Sequence, residues 1–325
     1  MRSRAARDGW LWWLALLGAL AILAPCLAGT RPLLAVSSDG ISGPALADLF
    51  RFLPQRGATE GAPRQGGWAI APPIRHDPLT VDLDARLRPP GAAHWMGTDE
   101  LGRDILARLI HAARPSLLVA AIATMLSLAL GIPIGAAAGY RRGLLDAALS
   151  RLIEACLSFP ALILLLVVAA LSLRATGPAG DGDALVSLVV VGSAVGLARW
   201  GVIARYMRAE VMRLARTDLA AAPTACGASP LRVLALHLIP AGLPPIIVSA
   251  AFGAGTAVVA EASLSFLGMG VQPPFPTWGQ TLASASLHGV RYWWLLVFPG
   301  AMVALTVATF NGLGESLRRR VAGPG

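Results

Sequence analysis

Residues 205–245 read RYMRAEVMRLARTDLAAAPTACGASPLRVLALHLIPAGLPP, an arginine-rich segment between two long apolar runs. Gly227 follows an Ala- and Leu-rich stretch that suits a helix, as glycine often does just past a helix C-terminus. Ser229 then offers an N-cap oxygen, and Pro230 takes the first helical position, where a missing N–H costs nothing. The segment therefore predicts a helix, a sharp turn and a second helix at a membrane surface.

The composition is that of a polytopic membrane protein. Of the 325 residues, 55% are hydrophobic and 14% are charged, whereas soluble domains carry about 25% charged residues. All 27 basic residues are Arg. A chain without Lys can form neither a Walker A site for nucleotide phosphates nor a Schiff base. The Arg residues flank apolar runs and do not interleave with aromatic residues, which favours membrane orientation over nucleic-acid binding.

The apolar runs predict an all-α polytopic membrane protein with six transmembrane helices. About 20 apolar residues cross a hydrocarbon core of ~30 Å. Pro240, Pro244 and Pro245 are expected to break the fifth span, which is tolerated inside a bundle. Arg199 lies near the inner end of the fourth span, where its side chain can snorkel. The predicted spans are Trp10–Ala28, Ser116–Gly139, Cys156–Leu173, Ala184–Ala204, Leu238–Ala260 and Trp293–Leu313.

These spans divide the chain into four parts. Residues 1–28 form a cytoplasmic N-terminus and the first transmembrane helix, for which a signal peptide is the alternative. Residues 29–115 form an extracytoplasmic excursion without a clear helix or strand period until it ends in an amphipathic interfacial helix. Residues 116–315 form a five-helix core with a cytoplasmic loop at 205–237, and residues 316–325 form a cytoplasmic tail. Arg clusters at both termini and in the loop favour this orientation.

The interfacial helix is predicted from residues 94–117, which read HWMGTDELGRDILARLIHAARPSL. Leu101, Ile105 and Leu109 fall on one face, whereas Arg108 and His111 fall on the other, so the helix suits a membrane surface. No metal is expected, because the spacing of the acidic and His residues matches no ligand pattern. The residues considered for such a site are His94, Asp99, Glu100, Asp104 and His111.

Two further groups of residues are candidates for packing or transport. Gly131, Gly135 and Gly139 repeat at four-residue spacing, which predicts a helix-packing seam, with a substrate groove as the alternative. Glu261 closes the fifth span, and an ionisable residue near lipid is a functional candidate. We place Glu261, Ser263 and Ser265 in a translocation path or gate, with a structural hydrogen bond of Glu261 as the alternative.

Three separated motifs resemble the second permease of the dipeptide/oligopeptide/nickel branch of ABC importers. They are GTDELGRD at 97–104, GASPLR followed by HLIP within 227–240, and EASLSFLGMGVQPPFPTWGQ at 261–280. The resemblance covers roughly residues 94–320. The chain departs from the family pattern at Ala221, where Glu is usual, at Pro223 inside the first helix of the loop, and at Ala241, where Asn or Asp is common.

The resemblance implies an ABC type I importer permease fold and a mechanism of alternating access. In that family the loop, here 205–237, is the coupling loop that inserts into a cleft of the ATP-hydrolysing subunit. The residues expected to couple to the ATPase are Asp218, Leu219, Ala221, Ala222, Gly227, Ala228, Ser229, Leu231 and Arg232.

The same resemblance implies the partners and the location. We expect a heterodimer with a sister permease, two ATP-binding cassette subunits, an extracytoplasmic solute-binding protein and contact with membrane lipid, but no nucleic acid. The expected location is the bacterial inner membrane, with both termini cytoplasmic. The chain is expected to lack a catalytic site and a cofactor of its own, because the partner subunits bind ATP and Mg.

The implied function is a permease subunit of an ATP-driven importer for peptides or a related small solute. An importer of nickel, metal chelates or another non-peptide solute is the alternative, followed by an exporter or membrane scaffold subunit. An intramembrane enzyme lacks support, because the spans contain no Ser/His, His/Glu or paired-Asp constellation.

Overall fold

The computed structural model describes residues 2–37, 40–48, 68–141, 143–158 and 181–321, with single positions between 160 and 167. Most of these residues lie in long helices. The helices are α1 (Arg2–Leu27), α2 (Pro44–Ala47), α3 (Ile105–Tyr140), α4 (Leu144–Ser158), α5 (Asp181–Leu214), α6 (Asp218–Ala225), α7 (Pro230–Val233), α8 (Ile239–Phe266), α9 (Trp278–His288) and α10 (Trp294–Val321). A π-helical turn, Leu234–Leu238, joins α7 to α8.

Five helical segments in the described part of the chain are long and apolar enough to cross a membrane. They are Gly9–Leu27, Ile105–Tyr140, Leu185–Leu214, Pro230–Phe266 and Trp294–Val321. These segments match five of the six predicted spans. The remaining predicted span, at 156–173, falls largely outside the described residues, so the sixth helix stays a prediction.

The fifth predicted span is not broken by its prolines, contrary to expectation. Helix α8 continues through Pro244 and Pro245 to Phe266. The irregularity lies earlier, in the π-helical turn, where the Ile239 N–H donates to Leu234 O, five residues back. Pro240 follows directly and has no N–H, so the wider turn accommodates the proline without ending the helix.

Helices α3, α5 and α8 pack together as the centre of the bundle, and α10 lies against α8. The main core combines small residues on α3 and α5 with larger side chains near the ends of α9 and α10. Trp278 and Leu295 are fully buried there. The indole N–H of Trp278 donates to Leu109 O at 3.1 Å, which fixes the start of α9 to α3.

Helix α1 lies against α3 and α10 and is held to α3 by polar contacts. Pro25 lies inside α1 and cannot donate the N–H that would bond Ala21 O. Arg114 of α3 donates to Ala21 O instead, and its Nη2 donates to Ile22 O at 2.6 Å. The Arg114 side chain therefore satisfies backbone oxygens next to the proline.

The predicted interfacial helix starts later than expected. Helix α3 begins at Ile105, where the Asp104 carboxylate caps the Ala107 N–H at 2.8 Å. Residues 97–104 form turns that place Gly97 and Gly102 at φ of +76° and +72°, which favours glycine. Arg108, predicted on the polar face of the helix, is buried. Its charge is tolerated there because the Asp99 carboxylate from the preceding turn lies 3.6 Å from Arg108 Nε.

The excursion contains a small antiparallel sheet that the sequence did not reveal. Strands β1 (Leu34–Ser37), β2 (Gly40–Ser42) and β3 (Trp68–Ile70) pair in the order β2-β1-β3. Strands of three or four residues give too few alternations for a period-2 pattern to stand out. The pairing of β1 with β3 also joins segments that are distant in sequence, so no local pattern reports it.

Candidate functional site

Helices α6 and α7 form an exposed hairpin, which we call the coupling hairpin (residues 218–233). The Gly227 N–H donates to Thr224 O and the Ala228 N–H donates to Pro223 O, both at 3.0 Å. This pair of hydrogen bonds is a Schellman closure, which ends α6 by satisfying two of its last carbonyls. Gly227 has φ of +80°, a left-handed conformation in which a side chain costs about 1 kcal/mol.

The second helix of the hairpin begins as the sequence predicts. Ser229 has extended backbone geometry, and its hydroxyl accepts the Arg232 N–H at 3.4 Å. Pro230 occupies the first turn, where its missing N–H leaves no bond unmade. The turn between α6 and α7 is therefore determined by residues within a few positions of it.

The residues expected to couple to an ATPase all lie on the coupling hairpin. Leu231 is 70% exposed, and Leu236 just beyond the hairpin is 65% exposed. Arg232, next to Leu231 in the sequence, is also exposed, as is Arg216 just before the hairpin. Of the nine predicted residues Ala228 is half-buried and the other eight are exposed, namely Asp218, Leu219, Ala221, Ala222, Gly227, Ser229, Leu231 and Arg232.

The opposite face of the coupling hairpin is anchored in a core cluster of its own. Ala220 of α6 is 7% exposed, and Val233 of α7 is fully buried. They pack in one cluster with Val211 and Leu214 of α5 and with Leu238 at the start of α8. A displacement of the hairpin must therefore move the inner ends of α5 and α8, since close-packed interiors transmit strain.

A charge pair next to the hairpin was not predicted. Arg208 of α5 donates through Nε and Nη2 to the Asp146 carboxylate of α4, at 2.8 and 3.0 Å. These hydrogen bonds lower the pKa of Asp146 below its usual range. No local pattern in the sequence links positions 62 residues apart.

Gly131, Gly135 and Gly139 lie on α3 against α5. A Cβ at Gly131 would be 2.6 Å from Ile203 Cβ, and a Cβ at Gly139 would be 2.6 Å from Arg208 O. Real Cβ atoms do not approach neighbours so closely. The seam therefore lets the two backbones pack at a distance that any side chain would prevent.

Glu261 of α8 is fully buried among hydroxyl groups. Ser265 donates to Oε1 at 2.6 Å and Ser116 of α3 donates to Oε2 at 3.1 Å. Ser265 is itself buried, and Ser263 donates back to Val259 O on its own helix. Glu261 thus links α8 to α3, and a role of these three residues in a translocation path stays a prediction.

The residues considered for a metal site are divided among different contacts. Asp99 pairs with Arg103 at 2.7 Å, Glu100 accepts from Ser284 at 3.2 Å, and His111 Nε2 lies 2.8 Å from Ala28 O. His94 Nδ1 lies 2.8 Å from Asp104 Oδ2. Among the described residues, His76 lies close to His94 and Asp104, and the atoms of these three side chains that could bind a metal are within 4.8 Å of one another.

About three quarters of the chain is similar in sequence to permease proteins of peptide transport systems. It is 34% identical to the probable D,D-dipeptide transport system permease protein DdpC of Escherichia coli (strain K12), over 75% of this chain and 78% of that protein. It is 36% identical to the di/tripeptide transport system permease protein DppC of Pseudomonas aeruginosa (strain UCBPP-PA14), over 75% and 78%. It is 35% identical to the dipeptide transport system permease protein DppC of Bacillus subtilis (strain 168), over 75% and 72%.

The fold is also similar to a solved structure. A chain of the inward-facing MetNI methionine ABC transporter, in its CY5 native crystal form, matches with a TM-score of 0.51 at 20% identity. The match covers 66% of this chain and 98% of that chain. The family described as binding-protein-dependent transport system inner membrane component matches residues 131–323, which include the coupling hairpin and Glu261. The chain therefore belongs to this family and is a multi-pass inner-membrane protein.

Proposed function

We propose that this chain is a permease subunit of an ATP-driven importer of peptides, coupled to separate ATPase subunits through the coupling hairpin. The observation that supports the proposal most strongly is that the coupling hairpin has one exposed face and one buried face. Its outer face exposes Leu231 and Leu219 beside Arg232, and its inner face is buried against α5 and α8. Exposed apolar side chains next to an exposed charge suit a protein partner.

The peptide substrate is proposed from the relatives. DdpC and the two DppC proteins are named as permeases of dipeptide or di/tripeptide transport systems, and each is similar to about three quarters of this chain. ATP is bound and hydrolysed elsewhere in this scheme, because a chain without Lys has no Walker A site. A sister permease in a heterodimer and an extracytoplasmic binding protein complete the proposed assembly.

The proposed orientation puts both termini and the coupling hairpin in the cytoplasm. Arg residues near the first helix, in the coupling loop and at 318–320 support it, because short cytoplasmic segments of membrane proteins are enriched in Arg and Lys. In alternating access, closure of the ATPase pair would then push the hairpin and tilt the inner ends of α5 and α8.

Cysteine labelling tests the proposed docking. Cys226 is exposed within the coupling hairpin, so it reports access without any substitution there. We expect the ATPase subunits to slow maleimide labelling of Cys226 in inside-out vesicles. A Cys226→Ser chain with Leu144→Cys is the control, since Leu144 is 91% exposed at the start of α4. Equal labelling of Cys226 with and without ATPase subunits would contradict the proposed docking.

Transport itself is tested in proteoliposomes that contain the chain, its sister permease, the ATPase subunits and the binding protein. We expect labelled trialanine to accumulate with ATP but not with a non-hydrolysable analogue. Accumulation without the ATPase subunits would refute the ATP-driven mechanism. Accumulation of a nickel chelate and not of the peptide would show the alternative importer class.

A further inference from the structure

Arg199 of α5 lies in a notch between three of the membrane-crossing helices. The notch has a volume of about 10 Å³, room for about one water molecule. Apart from Ile203 it is lined by small or hydroxyl side chains, namely Ala123, Thr124, Ser127, Ala250, Gly253 and Ala257. A Cβ at Gly253 would lie 3.3 Å from Arg199 Nη2, so the guanidinium rests against bare α8 backbone. The side chain thus points between helices and does not snorkel to the interface as predicted.

The notch lies near the middle of the helical segments Ile105–Tyr140 and Leu185–Leu214, which are long enough to cross a membrane. Thr124 and Ser127 lie near the middle of the stretch Ser116–Gly139, which has no charged residue and is long enough to cross the hydrocarbon core. A charged side chain at this depth is costly, and such residues usually mark a pathway for substrates or ions. The position of Arg199 therefore needs a compensating anion.

Arg199 has no carboxylate partner among the residues that the structure describes. Glu261, a fully buried carboxylate of the same bundle, is held by Ser116 and Ser265. The undescribed positions from 159 to 180 contain neither Asp nor Glu.

The hydroxyls in the notch do not compete for an anion. Thr124 donates to Ala120 O and Ser127 donates to Ala123 O, each at 2.7 Å. Ser127 also lies 3.1 Å from Gly196 O of α5. These protons are directed to backbone oxygens, so the guanidinium supplies the N–H donors in the notch. Its planar fork of N–H groups matches a carboxylate, which it can hold with two parallel hydrogen bonds.

We infer that Arg199 binds the carboxylate of the transported solute as the solute passes the middle of the membrane. This inference rests on the proposed function and narrows its substrate class to solutes with a free carboxylate, as a peptide has at its C-terminus. Arg199 is only half-buried, so a carboxylate would meet its guanidinium at the mouth of the notch, which itself holds about one water molecule. The rest of the solute then lies towards the sister permease.

The test compares two probes, trialanine and trialanine amide, which differ in the charge of the C-terminus. Uptake of both is measured in proteoliposomes with the complete transporter carrying wild-type chain, Arg199→Gln or Arg199→Lys. The same binding protein delivers both probes to every variant, so its own preference cancels when the trialanine-to-amide ratios of two variants are compared. Arg151→Gln, at an 84% exposed position, controls for loss of an Arg charge elsewhere.

We expect the trialanine-to-amide ratio to fall about tenfold in Arg199→Gln, the factor for loss of one charge-assisted hydrogen bond. It should fall less in Arg199→Lys and stay unchanged in Arg151→Gln.

An unchanged ratio in Arg199→Gln, or an equal loss of both probes, would overturn the inference while the proposed function stands. Disassembly of the complex in Arg199→Gln but not in Arg199→Lys would also overturn it, because Arg199 would then pair with a carboxylate of the sister permease. If the wild-type transporter imports neither probe, the proposed function itself is wrong, and the inference is overturned with it.

Discussion

Gly135 of α3 lies directly against Ala204 of α5, and a Cβ added at Gly135 would overlap the Ala204 carbonyl oxygen. The contact is between two backbones, so neither side can move away by changing a side-chain rotamer. It lies one helical turn from Arg208, which continues α5 towards the coupling hairpin. The close approach of α3 and α5 therefore fixes the helix that carries the hairpin.

Gly135→Ala should destabilise the chain by about 1–3 kcal/mol, the usual cost of adding a methyl group to a tightly packed site. The thermal midpoint of the purified chain in detergent measures this loss. Gly18→Ala in α1 is the matched control, because nothing lies within 4 Å of a Cβ there. Equal midpoints for the two variants would show that α3 and α5 can separate freely at this point.

The pair of Asp146 and Arg208 should contribute modestly to stability, about 0.2–1 kcal/mol in a double-mutant cycle, because partly exposed ion pairs are screened. Asp146→Arg combined with Arg208→Asp should recover part of what each single change loses. The lowered pKa of Asp146 gives the sign of the pH effect. The stabilisation by the pair is complete above about pH 4, the pKa of an Asp in the unfolded chain. It is lost as the pH falls through the lower pKa that Asp146 has in the folded chain.

Thermal midpoints should consequently differ between wild type and Asp146→Asn by the same amount at pH 6 and pH 8. A difference that grows towards pH 8 would assign the effect to another titrating group.

Local signals in the sequence were sufficient to predict the coupling hairpin. Gly227, Ser229 and Pro230 each act within four residues, through a positive φ, an N-cap and a tolerated missing N–H. The long apolar runs likewise predicted five of the spans that the described residues contain. Both signals are local, since they depend on the order of neighbouring residues and not on which segments meet.

Features that depend on distant contacts could not be predicted in this way. The burial of Arg108 depends on Asp99 and on Pro78 O, which accepts from its Nη1 at 3.3 Å. A helical wheel places Arg108 on a polar face, because it contains no information about contacts with Asp99 and Pro78 outside the helix. The contact of Arg199 with Gly253 is of the same kind, because it joins α5 to α8.

Glu261→Gln should retain the fold, because an amide oxygen can still accept from Ser116 or Ser265. Glu261→Ala should cost about 1–3 kcal/mol, since it leaves buried hydroxyl groups without their acceptor. Thermal midpoints in detergent distinguish the two variants. We expect near-normal uptake by Glu261→Gln if the residue is structural. A folded Glu261→Gln transporter that imports nothing would instead support its predicted place in the translocation path.

The coupling of ATP hydrolysis to transport through the hairpin is tested most directly by comparing two glycine variants. Gly227 and Gly143 have φ of +80° and +97°, and nothing lies within 4 Å of a Cβ at either position. Arg at either site therefore meets similar backbone strain, about 1 kcal/mol, and only Gly227 lies on the coupling hairpin.

The measurement is peptide-stimulated ATPase activity of the complete transporter in proteoliposomes, with equal amounts of inserted chain. Gly227→Arg should abolish the stimulation, because its side chain obstructs docking at the turn, whereas Gly143→Arg should retain it. Wild-type stimulation in Gly227→Arg would contradict the account.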